Sequence, residues 1–258
     1  MTEVVKKIKR KPFLLILGLL ILAGILSFIG YTRLLPADDI ALAAMESTDQ
    51  VQVSDQPMML VLVPRVDALN RGFVFYPGAR VDPQAYVPML KPLAEAGILV
   101  VIPKMPLGFA VLGIDRAAEI QAVYPQILCW AIGGHSLGGS MAAEYVAKFP
   151  EEMQGIVFVA SYPARNTSLA SLPIRGLVIS GSLDGLVAAE DVASVETNFP
   201  QESEFVLLEG ANHAQFGHYG PQSGDNLAEM SAEEQRAKST QAMLDFFSNL
   251  RMDCGLTE

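Results

Sequence analysis

Apolar residues in this chain fall into short unbroken runs, separated by polar stretches rich in glycine and proline. The first run differs from the rest. Residues 13–31, FLLILGLLILAGILSFIGY, carry no charge and are long enough to span a bilayer as a helix. They have no polar face, which argues against a helix of a soluble core. A connector follows at 32–50, with a short helical stretch expected at 37–47. Residues 51–54 and 58–63 lie on either side of Asp55-Gln56-Pro57 and predict an opening hairpin. Apolar strands are then expected at 72–76, 98–102, 127–132, 155–160, 176–180 and 204–208. Helices are expected at 83–96, 115–123, 140–148, 188–198 and 231–250. Proline starts the first of these and Gly97 stops it. The stretch 217–225 reads as disordered. Apolar strands alternating with helices predict a mostly parallel sheet covered on both faces, an α/β architecture. The division expected is a basic tail at 1–12, a membrane span at 13–31, a linker at 32–50 and one domain at 51–258.

Charge changes this picture. The chain has 18 Lys and Arg against 28 Asp and Glu, and they are segregated. Residues 1–33 hold six basic residues and one acid, which leaves 12 basic against 27 acidic residues beyond them, a net charge of −15. Such a body repels nucleic acid, which is excluded as a partner. Lys6, Lys7, Lys9, Arg10 and Lys11 directly precede the apolar run. That placement predicts a single-pass anchor with a cytoplasmic N-terminus and a body on the exported side. The rival is a signal peptide cleaved near Ala41-Leu42-Ala43, giving a secreted protein. Against it, the run is longer than a usual signal core, and this site lies well past its end. Cys129, inside a strand, reads as a small core residue, and Cys254 lies in the tail. Neither a disulfide framework nor a metal-ligand spacing is evident, so no metal is expected.

The chemistry concentrates at Gly134-His135-Ser136-Leu137-Gly138, a G-x-S-x-G match between an expected strand and an expected helix. Strand, tight turn and helix lift Ser136 clear of a sheet edge, and the flanking glycines keep β-carbons out of a crowded turn. A serine hydroxyl is a poor nucleophile until a base takes its proton and a carboxylate orients that base. Functional groups of a parallel sheet gather at the carboxyl ends of its strands. Ser136, then Asp184 after the strand 176–180, then His213 after the strand 204–208 all fall there. Asp184 precedes Gly185 and also reads as a turn residue, with Glu190 and Asp191 as other acids. His218 is the rival base. An oxyanion needs two backbone N–H donors. Leu137 is expected to give one, and Ala79, in the loop after the strand 72–76, the other, with Arg80 as the alternative. The Arg80 guanidinium reads either as a binder of an anionic substrate group or as a solvated rim residue. Met105 and Phe109 are expected to form an apolar wall, with plain loop packing as the other reading.

Four segments carry a family resemblance: Phe75-Tyr76-Pro77-Gly78-Ala79, Gly134-His135-Ser136-Leu137-Gly138-Gly139, Gly181-Ser182-Leu183-Asp184-Gly185 and Gly210-Ala211-Asn212-His213. In this order they resemble the successive active-site segments of the α/β-hydrolase superfamily, and most of all its small cap-less members similar to dienelactone hydrolases and esterases. The resemblance covers the chain from about residue 56 onward. It implies an α/β-hydrolase fold, a Ser136–Asp184–His213 triad, an acyl-enzyme, a small-molecule acyl substrate and no cofactor. Many relatives have His-Gly at the oxyanion loop where this chain has Pro77-Gly78. The segment 161–175 is too short for the helical cap many relatives insert there, which predicts an open, shallow site. The expected activity is that of a serine hydrolase cleaving a carboxylic ester or related acyl bond. An acyltransferase or amidase with the same triad, and a catalytically silent binding module, are the alternatives.

Overall fold

In this computed structural model, residues 16–24, 30, 33–66 and 70–253 are described. Eight strands form one sheet: β1 (Val51–Asp55), β2 (Met59–Pro64), β3 (Arg71–Tyr76), β4 (Leu99–Pro103), β5 (Cys129–His135), β6 (Gly155–Val159), β7 (Arg175–Gly181) and β8 (Glu202–Leu208). Their order is β1-β2-β4-β3-β5-β6-β7-β8. The hairpin β1–β2 is antiparallel, as is β2 against β4, and every other pairing is parallel.

Period-two alternation divides the buried strand residues between two faces. Phe73, Phe75, Ala131, Val157 and Ile179 pack on one face with Met89, Leu90 and Leu93 of helix α2 (Val87–Glu95) and Phe246, Phe247 and Leu250 of helix α6 (Ala232–Asp253). Val74, Tyr76, Trp130, Ile132, Phe158 and Val178 face the other way. There they meet helix α3 (Arg116–Val123) through Ile120, helix α4 (Leu137–Lys148) through Ala142, Tyr145 and Val146, and the short helix α5 (Ala189–Ala193) through Val192. The result is a three-layer sandwich. The ends of β3, β5, β7 and β8 come out along one edge of it.

Several elements differ from the sequence reading, each for a local reason. The helix expected at 83–96 is a 3-10 turn, Pro83–Tyr86, followed by α2. Pro88 in the first turn of α2 lacks an N–H, and its ring would collide with a continuous α-helical turn before it. The helix expected to begin at Ser140 begins at Leu137, because Gly138 and Gly139 are helical rather than part of the turn. The helix expected at 188–198 is α5 followed by a 3-10 turn, Glu196–Asn198. The stretch 217–225 is ordered against the body, with His218 and Tyr219 buried. Between β6 and β7 no helix forms.

The compact body spans Leu34–Glu258, so residues 34–50, read from sequence as a linker, are packed into it. Leu35 N–H donates to the Arg80 carbonyl, Asp82 N–H donates to the Leu35 carbonyl, and Leu35 bridges Val81 in parallel. Helix α1 (Asp39–Ala44) follows, capped by the Asp38 carboxylate on the Ala41 N–H. Residues 13–15, 25–29 and 31 of the apolar run expected to span a membrane lie outside the described residues, as does the basic tail. Within that run, residues 16–24 are helical. Among the described residues, no helix is long and apolar enough to cross a membrane. Cys129 is buried in β5 as expected, and it is disulfide-bonded, which the cysteine count did not suggest. Cys254 lies outside the described residues.

Candidate active site

Strand β5 delivers Ser136 to the sheet edge. The serine has φ 53° and ψ −125°, a left-handed backbone that a side chain adopts only where its surroundings impose it. Three contacts impose it. The Ser136 N–H donates to the Val159 carbonyl at 3.0 Å, the Ser161 hydroxyl donates to the Ser136 carbonyl at 2.6 Å, and α4 starts at the next residue. The flanking glycines act as expected. A β-carbon on Gly134 would lie 2.5 Å from the Tyr76 carbonyl oxygen, and one on Gly138 would overlap the Tyr76 and Pro77 carbonyls. The end of β3 is thereby pressed against the first turn of α4.

Asp184 and His213 are brought together. His213 Nδ1 lies 2.8 Å from Asp184 Oδ2, with both side chains buried. Asp184 Oδ1 accepts the N–H groups of Leu186 and Val187 at 2.8 and 2.7 Å. A buried carboxylate whose oxygens are all used in this way is held in one orientation. The carboxylate accepts, so Nδ1 carries the imidazole proton and Nε2 is left as an acceptor. The Ser136 hydroxyl makes no hydrogen bond to this ring, and nucleophile–base contacts in unliganded sites are commonly longer than they become with substrate.

His218, the rival base, is turned elsewhere. Its Nδ1 meets Asp38 Oδ2 at 3.0 Å, its N–H donates to the Ala85 carbonyl, and its carbonyl accepts the Asp38 N–H. Glu190 and Asp191 sit on α5, where Asp191 caps the Ala188 N–H.

The amides of the β3 loop separate by their partners. Gly78 N–H donates to the Tyr86 hydroxyl at 3.0 Å, and Arg80 N–H donates to the Gly108 carbonyl at 2.7 Å. The second bond removes Arg80's backbone as the alternative donor. Ala79 lies between these two committed amides. Leu137, the first residue of α4, has no intrahelical acceptor for its N–H. Met105 is buried and packs in the core, and Phe109 is half-buried.

Sequence reasoning did not reach three further features. The first is a chain of hydrogen bonds from the β3 loop to the His213 loop: Gly78 N–H to Tyr86 Oη, Tyr86 Oη to His135 Nδ1 at 2.9 Å, and His135 Nε2 to the His213 carbonyl at 3.2 Å. A carbonyl only accepts, so Nε2 of His135 carries the proton and Tyr86 donates to Nδ1. The second is Asp225, whose carboxylate accepts the N–H groups of Gly185, His213 and Ala214 and so ties the loop of Asp184 to that of His213. The third is Gln235 of α6, which clamps Asn212 from both sides through its N–H and its carbonyl. A glutamine on the apolar stripe of the last helix was the one legible signal among them.

The sequence model of the alpha/beta hydrolase family matches residues 72–237, the span that holds every element of this site. The chain belongs to the alpha/beta hydrolase family. Solved structures with the same fold include a membrane phospholipase A described as a bacterial virulence factor. It has a TM-score of 0.61 and 15% identity over 95% of this chain and 99% of that one. A protein assigned as a dienelactone hydrolase of Klebsiella pneumoniae has a TM-score of 0.55 and 16% identity over 77% of this chain and 98% of that one. Esterase 2 of Thermogutta terrifontis, solved in its tabun-phosphoramylated form, has a TM-score of 0.53 and 13% identity over 78% and 96%. No curated protein matches the chain in sequence. Among the described residues of this alpha/beta hydrolase, no cluster of His, Cys, Asp and Glu is arranged to hold a metal ion.

Burial sets the pH behaviour of the hydrolase. It holds the His135 imidazole well below the ordinary histidine value of 6.5, with the adjacent His213 acting in the same direction, and burial also lowers His218. Above about pH 6.5 both the folded and the unfolded chain keep His135 neutral. Below it the unfolded chain takes up a proton that the folded chain refuses, and stability is lost towards the lower folded value at up to about 1.4 kcal/mol per pH unit. Urea unfolding at pH 7.5, 6.5 and 5.5 is expected to show this loss, with a smaller slope in His135→Gln. An identical slope in the variant would assign the acid sensitivity to other groups.

Proposed function

We propose that this alpha/beta hydrolase cleaves a carboxylic ester or related acyl bond through an acyl-enzyme on Ser136. The observation that carries the reading is the buried Asp184–His213 pair, whose free Nε2 belongs to the loop that abuts the nucleophile turn. His213 Nε2 takes the Ser136 hydroxyl proton as Oγ bonds to the acyl carbon. The Leu137 and Ala79 N–H groups receive the charge that develops on the carbonyl oxygen. The proton then passes to the departing alkoxide as the ester C–O bond breaks. Water repeats the sequence on the acyl-serine, giving the free acid and restoring Ser136. Asp184 keeps the ring in the required tautomer and stabilises the imidazolium.

The same reading sets the body on the exported side of a membrane, behind a single-pass anchor at 13–31. The basic residues before that run support it, and the disulfide at Cys129 suits an oxidising compartment. The likeness to a membrane phospholipase A, which reaches over nearly the whole chain, agrees with this setting.

The test is covalent labelling of the full chain in detergent with a fluorophosphonate probe, with the labelled residue located by mass spectrometry. Label at Ser136 is expected, at a rate sharply reduced in His213→Ala and unchanged in His218→Ala. Loss of labelling in His218→Ala but not in His213→Ala would reverse the assignment of the base. A folded protein that takes no label would remove the acyl-enzyme.

A further inference from the structure

The loop after β4 carries three large apolar side chains in the open: Leu107, Val111 and Leu112 are 51%, 51% and 54% exposed. Single exposed leucines are ordinary on a protein surface. These three fall within six residues of one loop, and that loop is tied to the site. Gly108 accepts the Arg80 N–H, one residue from Ala79, and two 3-10 turns, Pro106–Gly108 and Ala110–Leu112, fix the intervening backbone. Leu107 itself has φ 52°, a conformation that costs energy for a leucine and is readily adopted by asparagine or aspartate. An apolar residue kept there, half in water, is not explained by folding.

The start of the body lies against the same loop. The Leu34 side chain, 37% exposed, packs on Gly108 so closely that a β-carbon there would lie 2.6 Å from its Cδ2. Leu35 N–H is bonded to the Arg80 carbonyl. In the sequence, only residues 32 and 33 separate the apolar run at 13–31 from Leu34.

We propose that Leu34, Leu107, Val111 and Leu112 form a surface that dips into the bilayer, and that the substrate is an acyl ester of a membrane lipid entering from the bilayer across this rim. The inference rests on the acyl-hydrolase reading above and gives it a substrate class. The occupant follows from two facts of the chain. A bilayer-length apolar segment ends two residues before Leu34 in the sequence, and the body's net charge of −15 disfavours an acidic or polar macromolecular surface while leaving a zwitterionic lipid surface accessible. The chain between β6 and β7, where a helical cap would be inserted, forms no helix.

The experiment uses the full chain reconstituted in phosphatidylcholine vesicles and reports the ratio of two rates: fatty acid released from the lipid, and hydrolysis of water-soluble p-nitrophenyl butyrate. The ratio cancels differences in the amount of active, outward-facing protein. Joint replacement Leu107→Asn, Val111→Asn and Leu112→Asn is expected to lower the ratio about tenfold or more, from lost burial of three apolar side chains, with soluble-ester turnover unchanged. Separately, Leu112→Trp should be quenched by phosphatidylcholine brominated on its acyl chains, while Trp130, buried in β5, is not. An unchanged ratio, or a tryptophan at 112 that is not quenched, overturns the proposal. Quenching of Leu112→Trp, with neither substrate hydrolysed by the wild-type chain, supports the docking surface and overturns the acyl-hydrolase reading instead.

Discussion

Ser136→Ala is expected to lower kcat for an activated ester by about 10⁴- to 10⁶-fold while leaving thermal unfolding almost unchanged. On the proposed mechanism, the size follows from removing the group to which the acyl carbon would bond. His213 and the Leu137 and Ala79 amides would remain, but they could only assist direct attack by water. The small effect on stability follows from the contacts at the turn. Ser136 is held through its backbone, by the Val159 carbonyl and the Ser161 hydroxyl, and no hydrogen bond of its side chain supports the fold. Alanine at φ 53° is as strained as serine there. A large fall in melting temperature together with lost activity would mean that the serine is structural. Activity within tenfold of wild type would place the nucleophile elsewhere.

The second large effect is on stability. Gly138→Ala is expected to cost about 3 kcal/mol, or roughly 6 to 12 °C in melting temperature for a domain of this size. The new β-carbon would overlap the carbonyl oxygens of Tyr76 and Pro77, with the Tyr76 carbonyl carbon at 2.7 Å. These are backbone atoms of β3 and its loop, with no flexible side chain to yield. Relief requires the β3 loop to move off α4, and that motion carries Ala79 away from Ser136. Soluble-ester turnover should therefore fall in the protein that remains folded. Differential scanning calorimetry and turnover below the transition decide both points, and an unshifted transition would show that the two segments are not in contact.

The sheet and the pair at its edge were legible for a common reason: both are written in side chains at regular spacing. Unbroken apolar runs mark buried parallel strands. Asp184 and His213 follow two of those runs, and the fold closes the 29 positions between them to 2.8 Å. What escaped is written in backbone. Tyr86 and Asp225 each hold main-chain groups of another loop, and a side chain that binds a remote amide leaves no period to read; only Gln235, polar on an apolar helix stripe, showed in the sequence. The glycines at 138 and 139 announced only that a β-carbon is absent. Whether a turn or a neighbouring chain excludes it depends on β3, some sixty residues earlier in the chain. Residues 34–50 looked like a linker because they join the body through main-chain bonds at Leu35 rather than along an apolar face.

The hydrogen-bond chain through Tyr86 and His135 has a further consequence. It begins at an amide that can only give and ends at a carbonyl that can only receive, so the two side chains between them have no second arrangement available. Phenylalanine at 86 would break two links at once and release both loops, while a change at His135 would be felt on the far side of the nucleophile at Gly78. The β3 loop and the His213 loop therefore behave as one part. Variants made on these two loops should interact strongly rather than add, and altering one loop without disturbing His213 will require leaving these two residues in place.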